Sequence, residues 1–491
     1  MNRVLFVSSE VYPLSKTGGL ADVSGALPRA LFEAGDDVRI LTPAYPGVAE
    51  RLDQLRRLGT FSVPHEAVEV EVGLMVGRLP GDGPLVYAID LPEYYHRSGF
   101  YLDSQGQDWP DNPQRFAVLC RVAEVIGCGL ATLDWAPSVV HLNDWQTGLA
   151  APMIRSHARR PALVCSVHNL AYQGTYDRAT FESLALPWSW WTVDGVEYHG
   201  GFSFLKAGLV YADKLTTVSP TYAEEIKTPE YGRGLDGVLR HRSDDLMGIL
   251  NGIDRSDWDP RSDPWLPVTY SVRNFAGKVD NRRALQREFG LPVTPDMPVI
   301  GMVTRLTEQK GIDLVIDSVP WLMQQRAQLV VLGAGDSQYE TALRDLAGKY
   351  PDRLAVRVGY DEQLSHRIEG GADLFLMPSR FEPCGLNQMY SLAYGTPPVV
   401  RRTGGLADTV QDATPENLAQ GVANGFVFDA PTAEALQEAV GRALLLFSDR
   451  ARWMDLVRCG MEADYSWDAR VPVYQRLYAL ASEAVGPVDA I

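Results

Sequence analysis

Two loops with nearly the same wording stand in opposite halves of this chain, Lys16-Thr17-Gly18-Gly19-Leu20-Ala21-Asp22 and Arg402-Thr403-Gly404-Gly405-Leu406-Ala407-Asp408. A glycine pair opening a helix lets the backbone approach a ligand closely and leaves N–H groups at the positive end of the helix dipole, which suits an anion. One such pair alone reads as readily as a structural turn; its repetition in both halves points to anion binding, with Lys16 and Arg402 adding charge. A third loop, Thr304-Arg305-Leu306-Thr307-Glu308-Gln309-Lys310-Gly311, follows the apolar run Val299 to Val303. Two cations bracketing a strand-to-helix loop suit a diphosphate, each charge-assisted contact contributing roughly 1.5–3 kcal/mol. The plain alternative is a solvated basic loop.

Carboxylates stand at comparable places. Glu382 lies in Ser379-Arg380-Phe381-Glu382-Pro383-Cys384-Gly385-Leu386-Asn387-Gln388, just beyond the apolar run Leu374 to Met377, and Asp144 lies in His141-Leu142-Asn143-Asp144-Trp145-Gln146. His168 and Asn169 follow another apolar run, Ala162 to Val167. A single loop carboxylate is usually just solvated, and a single histidine is usually a hydrogen-bonded core residue. Here, however, all three groups follow predicted strands, and open α/β sheets bind ligands at the carboxyl ends of their strands. None of the eight histidines forms HExxH or a paired ligand spacing, so no metal is expected. Gly333-Ala334-Gly335 lacks the last glycine of a dinucleotide fingerprint and reads as an ordinary β-turn-α loop.

The elements that must position these groups follow a β/α rhythm. Val4 to Val7 runs into the first glycine loop, then a helix through Leu27 and Phe32 that Gly35 stops, then a strand at Val38 to Leu41. Residues 67 to 90 alternate and read as a hairpin-like insertion. The aromatic segment from Pro92 to Phe116 reads as a surface loop leading into a helix at about Pro113 to Leu130. Further strands are expected at Ser138 to His141, Ala162 to Val167 and Lys214 to Val218. A Pro- and Asp-rich stretch after Asn251-Gly252 marks a domain crossing. Beyond it, strands at Val299 to Val303, Leu329 to Leu332, Leu354 to Val358, Leu374 to Met377, Pro398 to Arg401 and Gly425 to Phe428 alternate with helices, and an amphipathic helix runs from Val471 to Ala484.

At 491 residues the chain exceeds one ordinary core, and 46% hydrophobic content excludes a disordered protein. Forty-five Lys and Arg against 62 Asp and Glu give a charge of −17, which argues against nucleic acid or an anionic membrane as partner. Five scattered cysteines with no CxxC fit reduced thiols in the cytoplasm. No secretory signal and no membrane-spanning apolar stretch is read.

Taken together, these motifs resemble the bacterial glycogen synthase and plant starch synthase family, retaining glycosyltransferases that use ADP-glucose. The resemblance rests on Lys16 to Leu20, Asn143-Asp144-Trp145, Val167-His168-Asn169, Thr304-Arg305 with Lys310-Gly311, the Glu382 to Leu386 block and Arg402 to Asp408. Eight residues after Glu382, where a broader group of transferases has a second Glu, stands Tyr390; the synthases share this departure. The resemblance implies an α/β fold of two Rossmann-like doubly wound domains facing each other across a cleft, the GT-B type. Residues 1–250 would form the acceptor side and 251–466 the nucleotide-sugar side, while 467–491 would cross back to the first domain. It implies transfer of glucose from ADP-glucose to the non-reducing end of an α-1,4-glucan such as glycogen, with retention and release of ADP, and no cofactor. Glu382, His168, Arg305, Lys310 and Asp144 would be catalytic. Lys16, Gly18, Gly19, Asn169, Tyr360, Cys384, Gly385, Leu386, Thr403, Gly404 and Gly405 would join Arg305, Lys310 and Glu382 in holding the donor, with Tyr360 stacking on adenine. Asp144 would also reach the acceptor. Tyr94 and Tyr95 are assigned to acceptor contact as a hypothesis, since aromatic faces pack on sugar rings. A related transferase using UDP-glucose is the nearest alternative, and a non-catalytic glucan-binding regulator is the alternative outside enzymes.

Overall fold

The computed structural model describes residues 1–66, 68–129 and 133–485. The chain forms two compact units: residues 1–252 together with the chain from Trp467 onward, and Ile253–Ser466. The first unit carries β1 (Arg3–Val7), β2 (Asp37–Pro43), β3 (Asp53–His65), β4 (Val68–Arg78), β5 (Leu85–Asp90), β6 (Val139–Asn143) and β7 (Ala162–Val167). A small antiparallel sheet of β8 (Thr175–Tyr176), β9 (Glu197–Tyr198) and β10 (Gly201–Ser203) follows, then β11 (Lys214–Thr217) and β12 (Leu246–Gly248). The main sheet has the order β12-β11-β7-β6-β1-β2-β5-β4-β3. It is parallel from β12 to β5, and β4 and β3 add an antiparallel edge.

Short, mostly apolar and buried runs make the central strands β1, β6 and β7 because helices cover both faces of a parallel sheet. Helix Gly19–Glu33 turns Val23, Leu27 and Leu31 onto Val4 and Phe6, and the chain leaves it through Gly35 at φ +97°. Helix Val471–Val485 belongs to the same core. Its Val471, Tyr474, Leu477, Tyr478 and Ala481 recur at helical spacing and pack with Val4, Phe6, Val139 and Val164.

The second unit is a six-stranded, all-parallel sheet of β13 (Val299–Val303), β14 (Gln328–Gly333), β15 (Leu354–Val358), β16 (Leu374–Met377), β17 (Pro398–Arg401) and β18 (Phe426–Phe428). Their order, β15-β14-β13-β16-β17-β18, is the doubly wound order of a Rossmann fold. The strand order reverses between β13 and β16, and such folds place their ligand crevice at this reversal. In the first unit the equivalent reversal lies between β1 and β6. No helix among the described residues is long and apolar enough to cross a membrane.

Strand β3 has no counterpart in the sequence reading because it is an edge strand: among its residues only Val63 and His65 are buried, and register shifts interrupt its pairing with β4. The hairpin expected over residues 67 to 90 is present: β4 and β5 pair antiparallel, and β5 also pairs in parallel with β2, which joins the hairpin to the main sheet. The segment from Pro92 to Phe116, expected as a surface loop leading into a helix, is tied down by hydrogen bonds. The fully buried Arg115 donates to the carbonyls of Tyr94 (2.7 Å) and Phe100 (2.8 Å) and to Asn112 Oδ1 (2.6 Å). Helix Asn112–Gly127 follows, and the expected helix end at Leu130 lies outside the described residues.

Because Leu477 fills the first unit's core, Leu477→Ala removes buried methyl groups and leaves a cavity. We expect a loss of about 2–5 kcal/mol in urea denaturation, read from the unfolding of the first unit.

Candidate active site

In the second unit, three loops meet at the strand reversal. Glu382 is buried, and its Oε2 accepts from Lys310 Nζ at 2.5 Å and from Ser379 Oγ at 2.9 Å. The loop after β13 is laced to the loop after β16: Arg380 N–H donates to the Gln309 carbonyl (2.8 Å), and Gln309 Nε2 donates to the Phe381 carbonyl (3.3 Å). Arg305 Nη2 reaches Gln309 Oε1 at 3.4 Å, so both cations of the expected pair belong to this cluster. Asn387 Nδ2 donates to the Val303 carbonyl at 2.7 Å and ties the next helix to the end of β13.

The glycines explain how the loops come so close. Gly311 sits at φ +68°, and a Cβ there would stand 2.2 Å from the Pro378 carbonyl oxygen. Gly404 sits at φ +42° with the Glu382 carbonyl oxygen 1.9 Å from the position of a Cβ, and Gly405 would meet that of Cys384 at 2.2 Å. The Gly405 N–H donates to the carbonyls of Glu382 (3.2 Å) and Pro383 (3.1 Å). That amide is therefore engaged inside the loop cluster, which corrects its expected place in an anion cradle. Cys384 is buried beneath the same turn, with Gly385 at φ +71° and Leu386 half-buried beside it. Tyr390 stacks on Trp258, ring centroids 3.9 Å apart and 9° from parallel, and so takes part in packing within the unit. Tyr360, after the edge strand β15, is 76% exposed and its hydroxyl pairs with Glu362.

In the first unit, the loops at the β1–β6 reversal carry a buried carboxylate that sequence reasoning passed over. Glu10 accepts from Thr17 N–H (2.5 Å), Thr17 Oγ1 (2.7 Å) and Tyr101 hydroxyl (2.6 Å), and so shapes the Lys16-Thr17-Gly18 turn. Its signal was its place, directly after β1. Lys16 pairs with Asp22 at 2.9 Å. Gly18 is extended at φ −159°, with no atom within 4 Å of the position of a Cβ, and exposed Gly19 opens the helix. The two look-alike heptads thus adopt different backbones.

Asp144 is buried at φ +58°, ψ −175°, a conformation normally left to glycine that costs about 1–3 kcal/mol. It is held there because its N–H donates to the Ser166 carbonyl (2.9 Å) while its Oδ1 accepts the His168 N–H (2.7 Å). Burial pushes its carboxyl up to about 7. Burial likewise pushes the His168 ring down to about 4, which keeps it neutral, and its Nε2 lies 3.0 Å from Asn143 Oδ1. Asn169 caps the turn through Oδ1 to the Ala171 N–H at 3.0 Å.

Of the two tyrosines assigned to acceptor contact, Tyr95 is wholly buried. Its hydroxyl donates to the Arg115 carbonyl (2.8 Å) and its ring meets Tyr45 edge-on at 5.8 Å, so it has no face for a sugar. Tyr94 is half-buried, with its hydroxyl 2.9 Å from His65 Nε2.

Residues 3–241 match the family model for the starch synthase catalytic domain, and residues 286–455 match that for glycosyl transferases group 1. Glycogen synthase 1 of Methylococcus capsulatus is 50% identical over 99% of this chain and 98% of its own length. The glycogen synthase of Thioalkalivibrio sulfidiphilus is 48% identical over 97% of this chain and 99% of its own. The chain belongs to the glycogen and starch synthase family. It is a glycosyltransferase of GT-B type. Among solved structures, the catalytic domain of starch synthase IV from Arabidopsis thaliana, bound to ADP and acarbose, superposes with a TM-score of 0.90 at 30% identity, covering 98% of this chain and 99% of that one. For a synthase of this family, the strand-end carboxylates and cations described above are the groups to test.

Two stability measurements follow from the geometry. Gly404→Ala should cost about 2 kcal/mol or more, because φ is positive and a backbone carbonyl blocks the methyl group, whereas Gly18→Ala should stay within about 0.5 kcal/mol. Asp144 is more easily protonated in the folded chain than in the unfolded one. Its contribution to stability is therefore fully present below its ordinary pKa near 4 and is lost as pH rises through 7. Asp144→Asn should accordingly raise the melting temperature relative to the parent more at pH 8 than at pH 5.

Proposed function

We propose that this synthase transfers glucose from ADP-glucose to the non-reducing end of an α-1,4-glucan, with retention of configuration and release of ADP. The observation that carries this reading is the Lys310–Glu382 contact at the strand reversal, with Arg305 on the same loop: paired cations beside a fixed, buried carboxylate. Breaking a glucosyl–phosphate bond leaves positive charge on the sugar and adds negative charge to the departing diphosphate. Cations already in place meet that charge as it develops, without reorganising at the moment of reaction. Arg305 and Lys310 take this part, and Lys16, Gly18 and Gly19 are assigned to donor binding. Glu382 accepts from hydroxyls of the transferred glucose, held by Ser379 as well as by Lys310. A neutral His168 places no positive charge near the cationic sugar, and the backbone carbonyl of His168 supports that charge. Asp144, near neutrality in its burial, and Asn169 bind sugar hydroxyls; Tyr360 offers its exposed ring to adenine.

ADP as the nucleotude part of the donor is supported by the ADP held in the Arabidopsis starch synthase. Retention is proposed through attack on the same face as departure. No metal or organic cofactor is assigned a role, since the diphosphate charge is met by side chains. All five cysteines are free thiols, which fits the cytoplasm as the place of reaction.

The test is nucleoside diphosphate release with soluble glycogen, offering ADP-glucose and UDP-glucose separately. We expect release that depends on glycogen and runs much faster with ADP-glucose; a preference for UDP-glucose would overturn the donor assignment. Lys310→Ala should lower kcat/KM by about 10²–10³-fold, the usual effect of removing one such charge-stabilising group.

A further inference from the structure

We infer that Asn143 is a positioning residue that fixes the side chain of His168 as the Nε2–H tautomer and leaves Nδ1 as a hydrogen-bond acceptor. Asn143 ends β6, is fully buried, and stands at the strand reversal of the first unit. A carboxamide has one end that only donates and one that only accepts. The Nδ2 end of Asn143 lies 3.1 Å from the Val7 carbonyl and 3.3 Å from the His141 carbonyl, and both partners only accept. Turning the amide over would set its oxygen against two carbonyl oxygens with no hydrogen between them. The orientation is therefore decided by the backbone of β1 and β6, and Oδ1 must face the imidazole.

Oδ1 lies 3.0 Å from His168 Nε2, and two acceptors cannot share that distance favourably, so Nε2 carries the proton. Burial keeps the ring neutral, and a neutral imidazole carries a single N–H; Nδ1 is then bare. The neighbouring groups do not compete for the ring. Asp144 accepts the backbone N–H of His168, while His141 directs its own nitrogens to Tyr478 hydroxyl (2.9 Å) and Ser166 Oγ (2.6 Å). One amide thus joins the ends of β1 and β6 to the loop after β7 and passes their geometry to the histidine. The effect on turnover rests on the proposed role of the His168 loop; the tautomer does not.

The test is a long-range ¹H–¹⁵N spectrum of the full-length protein labelled with ¹⁵N-histidine, recorded at pH 7, with His168 assigned by the signal lost in His168→Gln. A protonated, pyrrole-like Nε2 and a bare, pyridine-like Nδ1 are expected; a protonated Nδ1 in the parent protein overturns the inference. In Asn143→Ala, the His168 signals should shift toward a mixture of tautomers. Its kcat for ADP release should fall about 10- to 100-fold, with the KM for ADP-glucose changed less than about threefold. A folded Asn143→Ala that keeps both the parent tautomer and the parent kcat overturns the positioning role. Should Asn143→Ala not fold, the parent spectrum still decides the tautomer, and Asn143→Ser supplies the kinetic comparison. Failure of the parent protein to transfer glucose would count against the proposed function, whereas the tautomer is read independently of turnover.

Discussion

Backbone against backbone is the contact on which the second unit's site depends. The carbonyls from Glu382 to Cys384 lie against Gly404 and Gly405, and that of Pro378 lies against Gly311, at separations that no side chain could enter. Buried carbonyls need donors, and the Gly405 N–H supplies one to two of them. Lys310 and Glu382 therefore meet because their loops are locked together beneath them, and their attraction is added to a geometry already set. A carboxylate and an ammonium on freely moving loops would lose much of that attraction to side-chain entropy and solvent.

The first unit solves the same problem by other means. Its strand-end loops hold side chains by polar contacts: Glu10 gathers Thr17 and Tyr101, and Asp144 gathers the His168 amide. The unfavourable backbone of Asp144 is sustained by hydrogen bonds on both sides of it, to Ser166 and to His168. Strain kept in this way holds a carboxyl in a buried position where its ionisation is poised near neutrality rather than far below it.

Much of this was legible in the sequence because apolar runs of four to six residues can only be buried strands here, and each ran straight into a loop with polar chemistry. That rule marked Arg305, Lys310 and Glu382 as candidates, the family resemblance gave them roles, and the fold brings them into one cluster. Where the reading failed, tertiary partners decided the outcome. Tyr94 and Tyr95 are neighbours of the same type, yet a buried Arg115 below them draws one into the core and leaves the other half-exposed. The heptads at Lys16 and Arg402 share their glycines but not their backbone angles: Gly404 has a carbonyl pressed against it, and Gly18 has none. Glu10 escaped notice because its partners Thr17 and Tyr101 are brought to it only by the fold, although its place just after β1 pointed to it. Strand β3 lacks the alternation of a half-buried strand because most of its side chains face solvent.

The helix Val471–Val485 completes a core whose other members come from residues far earlier in the chain. During synthesis the whole second unit is made between these two pieces. Its own strands and helices are contiguous, so it can close while the first unit still shows Val4, Phe6, Val139 and Val164 to solvent or to a chaperone. The first unit's last packing element is thus made only after the whole of the second unit. A chain released before Trp467 has emerged would carry a finished second unit and an unsealed first one, a natural mark for quality control.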